Sequence, residues 1–343
     1  MARTFLSCAP KSSISLMQLK LLPDEALDSF ISRNFVYAQR WRDTSIKKWY
    51  GFAGVGHWTV SKIRNLVDIF GWDKHGGYSY LFHYHTNYYR GVFALDTMGW
   101  GYPPERMSAF AVRLVAAHET VKLCPACLHS DLTDLGFIYW RRSHQGYDIE
   151  VCAKHNIKLV SACGGCHKPL LADRHFLEAP WSVCECGYTI SDYEPVANID
   201  LAEWKLSKFI DDFYRYKYQL QRDRLADLIR KRLLALGLSG EEDIKLRFQS
   251  SMNAVHYEVF LWNSLRILKG DIYKVWGVFY VLAAVFEDFN SFAAAVIKED
   301  VERCHVYSKF FRCSAYYLDY ISASPSYYPH LTIPPSDAKI ILG

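Results

Sequence analysis

The sequence predicts a mainly α-helical protein whose middle part is organised by two zinc sites. Three observations lead to this prediction: apolar residues recur at helical spacing on both sides of the middle, four close pairs of cysteine and histidine lie within residues 124–186, and half of the 343 residues are apolar. A chain this apolar can bury most of its length. We expect an N-terminal helix-turn-helix-like domain at residues 1–110, a double zinc-finger domain at 111–195, a C-terminal helical domain at 196–320 and a proline-containing tail at 321–343.

Two helices are indicated in the N-terminal domain. The first begins at Pro23-Asp24-Glu25, because proline and acids favour a first turn; its apolar residues are Leu27, Phe30, Ile31 and Phe35. The second follows Thr59 as N-cap and ends at Gly71, with an apolar stripe of Val60, Ile63, Val67 and Phe70. Two short helices around a glycine-containing loop are typical of a helix-turn-helix unit, and a small helical bundle fits the pattern equally well.

Basic side chains are the candidates for contact with nucleic acid or with a partner protein. They are Arg40, Arg42, Lys47, Lys48, Lys62 and Arg64 in the N-terminal domain, Arg141 and Arg142 in the central domain, and Arg222 and Arg230 in a C-terminal helix. A solvated helix face explains each of them as well as a phosphate contact does.

Residues 72–103 are rich in glycine, tyrosine and histidine, and we expect a loop-rich connection there. His83 and His85 are possible metal ligands within it. Histidines that alternate with aromatic residues are more often packed than metal-bound, so packing is the favoured interpretation.

The central domain contains the residues with the clearest chemistry. Cys124-Pro-Ala-Cys127 and Cys163-Gly-Gly-Cys166 each place two thiolates on a tight turn. Cys152-Ala-Lys-His155 and Cys184-Glu-Cys186 supply two further pairs. Four protein donors per ion leave no open position for water, which is typical of structural zinc and not of catalytic zinc. We therefore expect two structural Zn²⁺ ions.

Spacing alone leaves the partition of these ligands open. Sequential pairing gives one site of Cys124, Cys127, Cys152 and His155 and another of Cys163, Cys166, Cys184 and Cys186; interleaved pairing would join the first pair to the third. The short linker between His155 and Cys163 favours sequential sites. Because Cys-x-Cys is less usual than Cys-x-x-Cys, His167 or His175 is an alternative ligand in the second site.

The C-terminal domain is predicted to be helical. Leu225, Leu228, Ile229, Leu233 and Leu236 form a stripe that Gly237 ends, and further helices are predicted at residues 252–268, 272–286 and 290–299. The longest apolar run has 12 residues, whereas a membrane span needs about 20. With no continuous apolar segment at the N-terminus, we expect a cytoplasmic protein without membrane association.

Charge and motifs limit the function classes. The formal charge is +4; seven zinc-bound thiolates would contribute −7 and two zinc ions +4, which leaves +1. Strong binding to phosphates requires a positive field, so any DNA contact would come from a local patch or through a partner. The sequence contains no phosphate-binding glycine loop, no Gly-x-Ser-x-Gly and no His-Glu-x-x-His motif. We expect no catalytic activity.

The central motifs occur in a recognisable order. They are Cys124-Pro-Ala-Cys127-Leu128, Tyr139-Trp140-Arg141, Gln145, Val151-Cys152-Ala-Lys-His155, Leu159 and Cys163-Gly-Gly-Cys166, supported by residues 22–30. This order resembles the TniQ family. His144 stands where many members of that family carry an aromatic residue, Ala153 replaces a frequent proline, and the second site ends in Cys-x-Cys.

The resemblance implies a target-selection adaptor for DNA transposition that recruits the AAA+ ATPase TnsC to a chosen DNA site. In one group of relatives the adaptor, often a homodimer, sits on a CRISPR guide-RNA effector complex (Cascade). TnsD-type relatives instead bind attachment-site DNA directly. Near-neutral charge and moderate length favour the first group. A zinc-dependent nuclease or hydrolase is the third hypothesis. Metal removal would distinguish it from the first two, because a structural site loses its fold with its zinc, whereas a catalytic site loses turnover and keeps its fold.

Overall fold

The structure is a computed structural model that describes residues 19–37, 60–70, 72, 77, 80–81, 84–86, 120–146, 149–171, 183–215, 220, 222–270 and 277–299. Within these ranges the helices are α1 Leu27–Tyr37, α2 Val60–Phe70, α3 Pro125–Leu135, α4 Leu201–Tyr214, α5 Arg222–Ala235, α6 Glu241–Phe248, α7 Ala254–Leu268, α8 Val278–Val285 and α9 Phe289–Lys298. Backbone pairing in the same ranges consists of isolated antiparallel bridges. The predicted mainly α class is confirmed.

The start of α1 is joined to the central region by backbone pairing. Asp24 has a positive φ of 56°, and Glu25 forms an antiparallel bridge with Arg141. The Ala26 amide donates to the Trp140 carbonyl at 2.8 Å, and the Arg142 amide donates to the Asp24 carbonyl at 2.7 Å. The residues predicted as the first helical turn are therefore a tight turn at Pro23 and Asp24 followed by the bridge residue Glu25, and the helix begins at Leu27.

The second N-terminal helix spans the predicted residues, Val60 to Phe70. The segment between α1 and α2, which contains Arg40, Arg42, Lys47 and Lys48, lies outside the described residues, so the helix-turn-helix arrangement stays a prediction.

The loop-rich connection predicted from residue 72 onward is wrong at several positions. Gly77, Tyr80, Leu81, Tyr84 and His85 have helical backbone conformation. The physical reason is the spacing of Leu81 and His85, which are both buried and lie four residues apart, on one helical face.

A buried ion pair fixes α1 to the segment before it. Arg33 Nε and Nη2 each lie 2.7 Å from a carboxylate oxygen of Glu25, and neither side chain is more than 3% exposed. Arg33 also donates to the Lys20 carbonyl at 2.8 Å, and the Leu22 amide donates to Glu25 at 3.0 Å. Burial raises the pKa of the Glu25 carboxyl, and the Arg33 guanidinium opposes that rise. Each charge is therefore held by its partner and by backbone groups.

His85 also contacts the segment that precedes α1. Its Nδ1 lies 2.7 Å from the Glu25 carbonyl oxygen. Burial lowers the pKa of His85 to about 4, so the ring is neutral at neutral pH. Because a carbonyl oxygen only accepts, Nδ1 carries the proton. This hydrogen bond supports the interpretation of His85 as a packed residue.

The C-terminal helices enclose an aromatic core. The Phe213 ring lies 5.0 Å from the Phe279 ring and 5.7 Å from the Phe289 ring, at edge-to-face angles. The predicted stripe on α5 is confirmed, and Gly237 follows it with a φ of 75°. In the described part, no single helix is long and apolar enough to cross a bilayer, although α8 and α9 pass that test together across a bend of 97°.

The central region is attached to α4 through its backbone. The Trp204 indole N–H donates to the Ala153 carbonyl at 3.0 Å. The Asn198 side chain donates to the Asn156 side chain at 2.9 Å, and the Lys158 amide donates to the Val196 carbonyl at 2.9 Å. The segment leading into α4 is thus positioned by residues 153–158.

We expect Glu25→Gln to lower the free energy of unfolding by about 3–5 kcal/mol, because it leaves the buried Arg33 charge without its counter-ion. Urea unfolding followed by tryptophan fluorescence measures this change. The control is Lys245→Gln, which removes an exposed pair with Glu241 at 3.0 Å and should leave the urea midpoint nearly unchanged. Equal midpoints for Glu25→Gln and the parent protein would contradict the assigned importance of the pair.

Candidate metal centre

The structure gathers the first four predicted ligands at the N-terminus of α3. Cys124 is the N-cap residue, Pro125 occupies the first turn, and Cys127 follows within that turn. The ligand atoms of Cys124, Cys127, Cys152 and His155 all lie within 4.8 Å of one another. The sequence interpretation as a tight turn missed this helix, although proline at its start and Gly136 after its last residue are typical helix boundaries.

The distances in this first cluster match a tetrahedral zinc site. A zinc ion with Zn–S bonds of about 2.3 Å holds two sulfurs about 3.8 Å apart, and a sulfur and a nitrogen about 3.5 Å apart. Cys127 Sγ and Cys152 Sγ are 3.9 Å apart. The Nδ1 atom of His155 lies 3.5, 3.3 and 3.7 Å from the sulfurs of Cys124, Cys127 and Cys152. The donor set and its spacing therefore fit a zinc ion bound through three sulfurs and Nδ1.

The second cluster contains Cys163, Cys166, Cys184 and Cys186, whose sulfurs also lie within 4.8 Å of one another. Cys163 Sγ is 3.6 Å from Cys186 Sγ, and Cys166 Sγ is 3.7 Å from Cys184 Sγ. These are again the edges of a zinc–sulfur tetrahedron. Of the two partitions left open by spacing, the structure shows the sequential one.

The same backbone turn builds one half of each cluster. In the first, the Cys152 amide donates to the Ile157 carbonyl at 2.9 Å, and the Asn156 amide donates to the Cys152 carbonyl at 2.9 Å. In the second, the Cys163 amide donates to the Lys168 carbonyl at 2.8 Å, and the His167 amide donates to the Cys163 carbonyl at 2.9 Å.

Asn156 and His167 occupy equivalent left-handed positions in these turns, with φ of 53° and 59°. His167 therefore has a backbone role in the turn and lies outside the second ligand set. His175, the other alternative ligand, lies outside the described residues.

Charged groups surround the first cluster. Arg141 donates from Nη1 and Nη2 to the two carboxylate oxygens of Asp131, at 2.6 and 2.7 Å. Hydrogen bonds with Cys124 and Cys152, together with burial, raise the pKa of the Cys127 thiol. The positive charge of Arg141 acts in the opposite direction but is the weaker effect. On the other side, His144 is a hydrogen-bond partner of Cys152 and favours its thiolate. These groups are the outer partners that orient metal ligands and compensate their charge.

The three thiols of the first cluster cannot all ionise by themselves. Hydrogen bonds from Cys124 and Cys127 lower the pKa of Cys152, whereas hydrogen bonding with Cys124, followed by that with Cys152, raises the pKa of Cys127. The pKa of Cys124 is raised to about 11. One thiolate supported by two thiols is the stable form without a cation. A divalent ion supplies the charge that three adjacent thiolates need.

A tyrosine ring covers the glycines of the second cluster. A Cβ at Gly164 would lie 2.4 Å from Cζ and Oη of Tyr188, and a Cβ at Gly165 would lie 3.2 Å from Cys186 Sγ. The Tyr188 hydroxyl donates to the Asp192 carbonyl at 2.7 Å, which holds the ring in place. The two glycines of Cys163-Gly-Gly-Cys166 are therefore required by close packing.

Two of the predicted surface contacts have partners inside the protein. Arg142 is 5% exposed, its Nε lies 3.2 Å from Asp24, and its guanidinium stacks 4.3 Å from the Tyr214 ring. Arg141 is paired with Asp131, as described above. These side chains join the central region to its neighbours, which differs from the DNA or partner contact predicted for them. The sequence could not show this, because their carboxylate partners are distant along the chain or on another element.

The other predicted contacts are only partly described. Lys62 and Arg64 are partly exposed on α2, and Arg230 on α5 is exposed and paired with Asp227 at 2.7 Å. Arg222 begins α5, but its side chain is outside the described residues.

A third group of possible ligands, which the sequence did not indicate, consists of Asp200, Glu203 and His256. Asp200 caps α4 by accepting from the amides of Ala202 and Glu203. The Asn253 side-chain amide donates to Asp200 at 3.3 Å and to Glu203 at 3.0 Å. Helix capping and hydrogen bonding account for these carboxylates.

Comparison with known families agrees with this geometry. Residues 85–159 match the family model TniQ. The chain therefore contains a TniQ-family segment at these residues. The matched segment contains all four residues of the first cluster and ends before the second. A comparison with curated proteins finds no match.

We expect Cys124→Ser to abolish metal binding at the first cluster and to unfold the TniQ segment, because the binding free energy of structural zinc is folding free energy. Cys163→Ser should abolish metal binding at the second cluster and unfold the residues around that site. Elemental analysis gives the zinc content, and circular dichroism reports the fold. Cys304→Ser, outside both clusters, is the control. A soluble, normally stable Cys124→Ser protein with one fewer zinc ion would show that the first site is dispensable.

Gly164→Ala should weaken metal binding at the second cluster alone, because the new Cβ would overlap the Tyr188 ring. Competition with a chromophoric chelator measures the two affinities separately. Adding Tyr188→Ala to Gly164→Ala removes the overlap and should restore part of the lost affinity. Gly240→Ala, at a position with extended backbone where a new Cβ meets no atom within 4 Å, controls for the substitution itself. Equal effects of the single and double variants would contradict the packing explanation.

Proposed function

We propose that this TniQ-family protein is a non-catalytic adaptor in target-site selection for DNA transposition, which links a target-bound complex to the AAA+ regulator TnsC. The observation that supports this function is the TniQ match at residues 85–159. Membership alone supports a transposition-associated target-selection role. The finer assignment, with a CRISPR effector complex (Cascade) as the target-bound partner, rests on the charge arguments that follow.

The two clusters serve as structural zinc sites in this proposal. Each provides four protein donors at tetrahedral spacing, so a bound ion has no coordination position left for water or substrate. The first cluster joins α3 to the Cys152–His155 turn, and Trp204 of α4 donates to the same turn. Zinc would thus stabilise the surfaces through which an adaptor acts, and a hydrolase mechanism at either ion is disfavoured.

The pairing of basic residues favours the adaptor over direct DNA reading. Arg141 and Arg142 are paired with Asp131 and Asp24, and Arg232 donates to the Val285 carbonyl at 3.0 Å. Side chains held in this way contribute little to phosphate binding, and the zinc-loaded chain would have a formal charge near +1. A protein partner would therefore supply the DNA specificity.

The alternative is a TnsD-type protein that binds attachment-site DNA itself. The exposed edge of α5 is the feature in its favour, because Arg224, Arg230 and Lys231 all lie there. Arg230 pairs with Asp227 and Lys231 with Glu299 at 2.5 Å, and exposed pairs of this kind exchange readily for a phosphate.

DNA binding across a salt series separates the two functions. For the adaptor, we expect the zinc-loaded protein alone to bind duplex DNA weakly and without sequence preference, and to bind purified TnsC from the same transposon in a pull-down. Nanomolar, sequence-selective binding that falls steeply with salt would instead establish direct reading.

Charge reversal at α5 makes this test specific. In the direct-reading case Arg230→Glu should weaken DNA binding and reduce the salt slope by about 1, whereas Arg215→Glu at the C-cap of α4 should not. Arg215 is a matched control, since it is also an exposed arginine paired with an aspartate on a helix, Asp211, at 2.7 Å. For the adaptor, both variants should leave DNA binding equally weak. Light scattering of the same samples tests the proposed homodimer.

A further inference from the structure

The two metal clusters differ in how accessible their sulfurs are. Cys124, Cys127 and Cys152 are each no more than 2% exposed. In the second cluster only Cys163 is buried, Cys166 and Cys184 are partly exposed, and Cys186 is exposed. Since thiolate oxidation requires access for the oxidant, the second cluster is the reactive one.

The charge of the second cluster adds to this difference. Four thiolates around a zinc ion carry a net charge of −2, whereas three thiolates and an imidazole carry −1. The first cluster also has the Arg141 guanidinium beside Cys127. The basic group beside the second cluster, Lys168, is exposed and pairs with Glu185 at 3.2 Å. The negative charge on the sulfurs of the second cluster is therefore less compensated than the charge on the sulfurs of the first cluster. The second-cluster sulfurs are for this reason the more nucleophilic ones.

We propose that Cys186 and Cys163 form a peroxide-sensitive pair whose oxidation releases the metal of the second cluster. Cys186 is the exposed sulfur, and Cys163 is buried 3.6 Å behind it. The exposed thiolate is the site of attack on hydrogen peroxide, and the buried one is the resolving thiolate. This role goes beyond target selection and depends only on the two clusters holding zinc.

The chemistry balances with hydrogen peroxide as the oxidant. The Cys186 thiolate attacks one peroxide oxygen, the O–O bond breaks, and hydroxide leaves as Cys186 becomes a sulfenic acid. The Cys163 thiolate then attacks the Cys186 sulfur, the S–O bond breaks, and a second hydroxide leaves. The two thiolates have lost two electrons to the peroxide, and the two hydroxides are neutralised by buffer acid in the solvent. Cys166 and Cys184 remain as two ligands, too few to hold zinc.

The structural consequence is confined to the second cluster. The turn that carries Cys184 and Cys186 is held by the pairing of Val183 with Thr189 and by a 3.0 Å bond from the Cys184 amide to the Tyr188 carbonyl. Loss of the metal would release this turn. The attachment of α4 would remain, because Trp204 and Asn198 bind residues of the first cluster's turn.

The test begins with the intact zinc-loaded chain, whose zinc content is measured first. Fewer than two zinc ions in the untreated protein would contradict the zinc sites themselves, a failure distinct from that of the redox pair. Hydrogen peroxide is then added at rising ratios, with zinc release followed by a chromophoric chelator and cysteines mapped by peptide mass spectrometry.

We expect one zinc ion to leave first, together with a Cys163–Cys186 disulfide and unmodified Cys124, Cys127 and Cys152. A reductant with added zinc should restore the metal content. Simultaneous release of both ions, first release from Cys124–His155, or a first disulfide between Cys166 and Cys184 would each overturn the proposal.

The variant Cys186→His tests whether zinc release depends on the exposed Cys186 thiolate or on weak zinc binding at the second cluster in general. Histidine keeps four zinc donors while removing the exposed thiolate, so peroxide-driven zinc release should slow by about 10-fold or more. Cys304→Ser, which removes a thiol outside both clusters and keeps all eight ligands, should leave the first release unchanged. If Cys186→His does not retain zinc, the disulfide mapped in the parent protein decides the question. An unchanged release rate in a zinc-loaded Cys186→His protein would contradict the assigned role.

Discussion

Three thiols and one imidazole are held within 4.8 Å of one another at the point where the separate parts of this chain meet. The N-terminus of α3 supplies Cys124 and Cys127, and a left-handed turn supplies Cys152 and His155. Ionisation of all three thiols together is electrostatically unfavourable without a cation, because adjacent thiolates repel one another in a buried site. In the proposed zinc-loaded form, the charge placed at their centre would therefore hold these elements together.

Buried and partly buried arginine–carboxylate pairs extend the same organisation outward. Arg141 with Asp131 lies beside the first cluster, Arg142 with Asp24 connects it to the start of α1, and Arg33 with Glu25 fixes α1 itself. Buried pairs add less to stability than their number suggests, because desolvation offsets their attraction. Their value is geometric, since an unpaired partner would be costly and only one arrangement satisfies all three. Arginines used in this way are unavailable to bind phosphates, which is the physical basis for preferring an adaptor.

The metal clusters could be predicted from sequence because chelating pairs are local. Cys-x-x-Cys and Cys-x-x-His place two donors on one turn, so only the assembly of the pairs depends on the rest of the fold. Helix positions in the C-terminal domain could be predicted for a related reason, since the stripe on α5 and its end at Gly237 are local signals. The pairing of residues 24–26 with 140–142 could not, because it joins segments more than a hundred positions apart. The roles of Arg141 and Arg142 depend on that pairing, and so a basic dipeptide that suggested a surface belongs to the interior.

The two clusters share a backbone turn but differ in their surroundings. Asn156 and His167 take the same left-handed position, yet the first turn is covered by Trp204 and the second by Tyr188, whose ring packs on glycine. The first cluster lies wholly within residues 85–159, which match the TniQ family model, and it also carries the attachment to α4. A change there would disturb the attachment of α4 to the central region. The proposed release of the second metal would act instead on the turn of Cys184 and Cys186, which is held by the pairing of Val183 with Thr189.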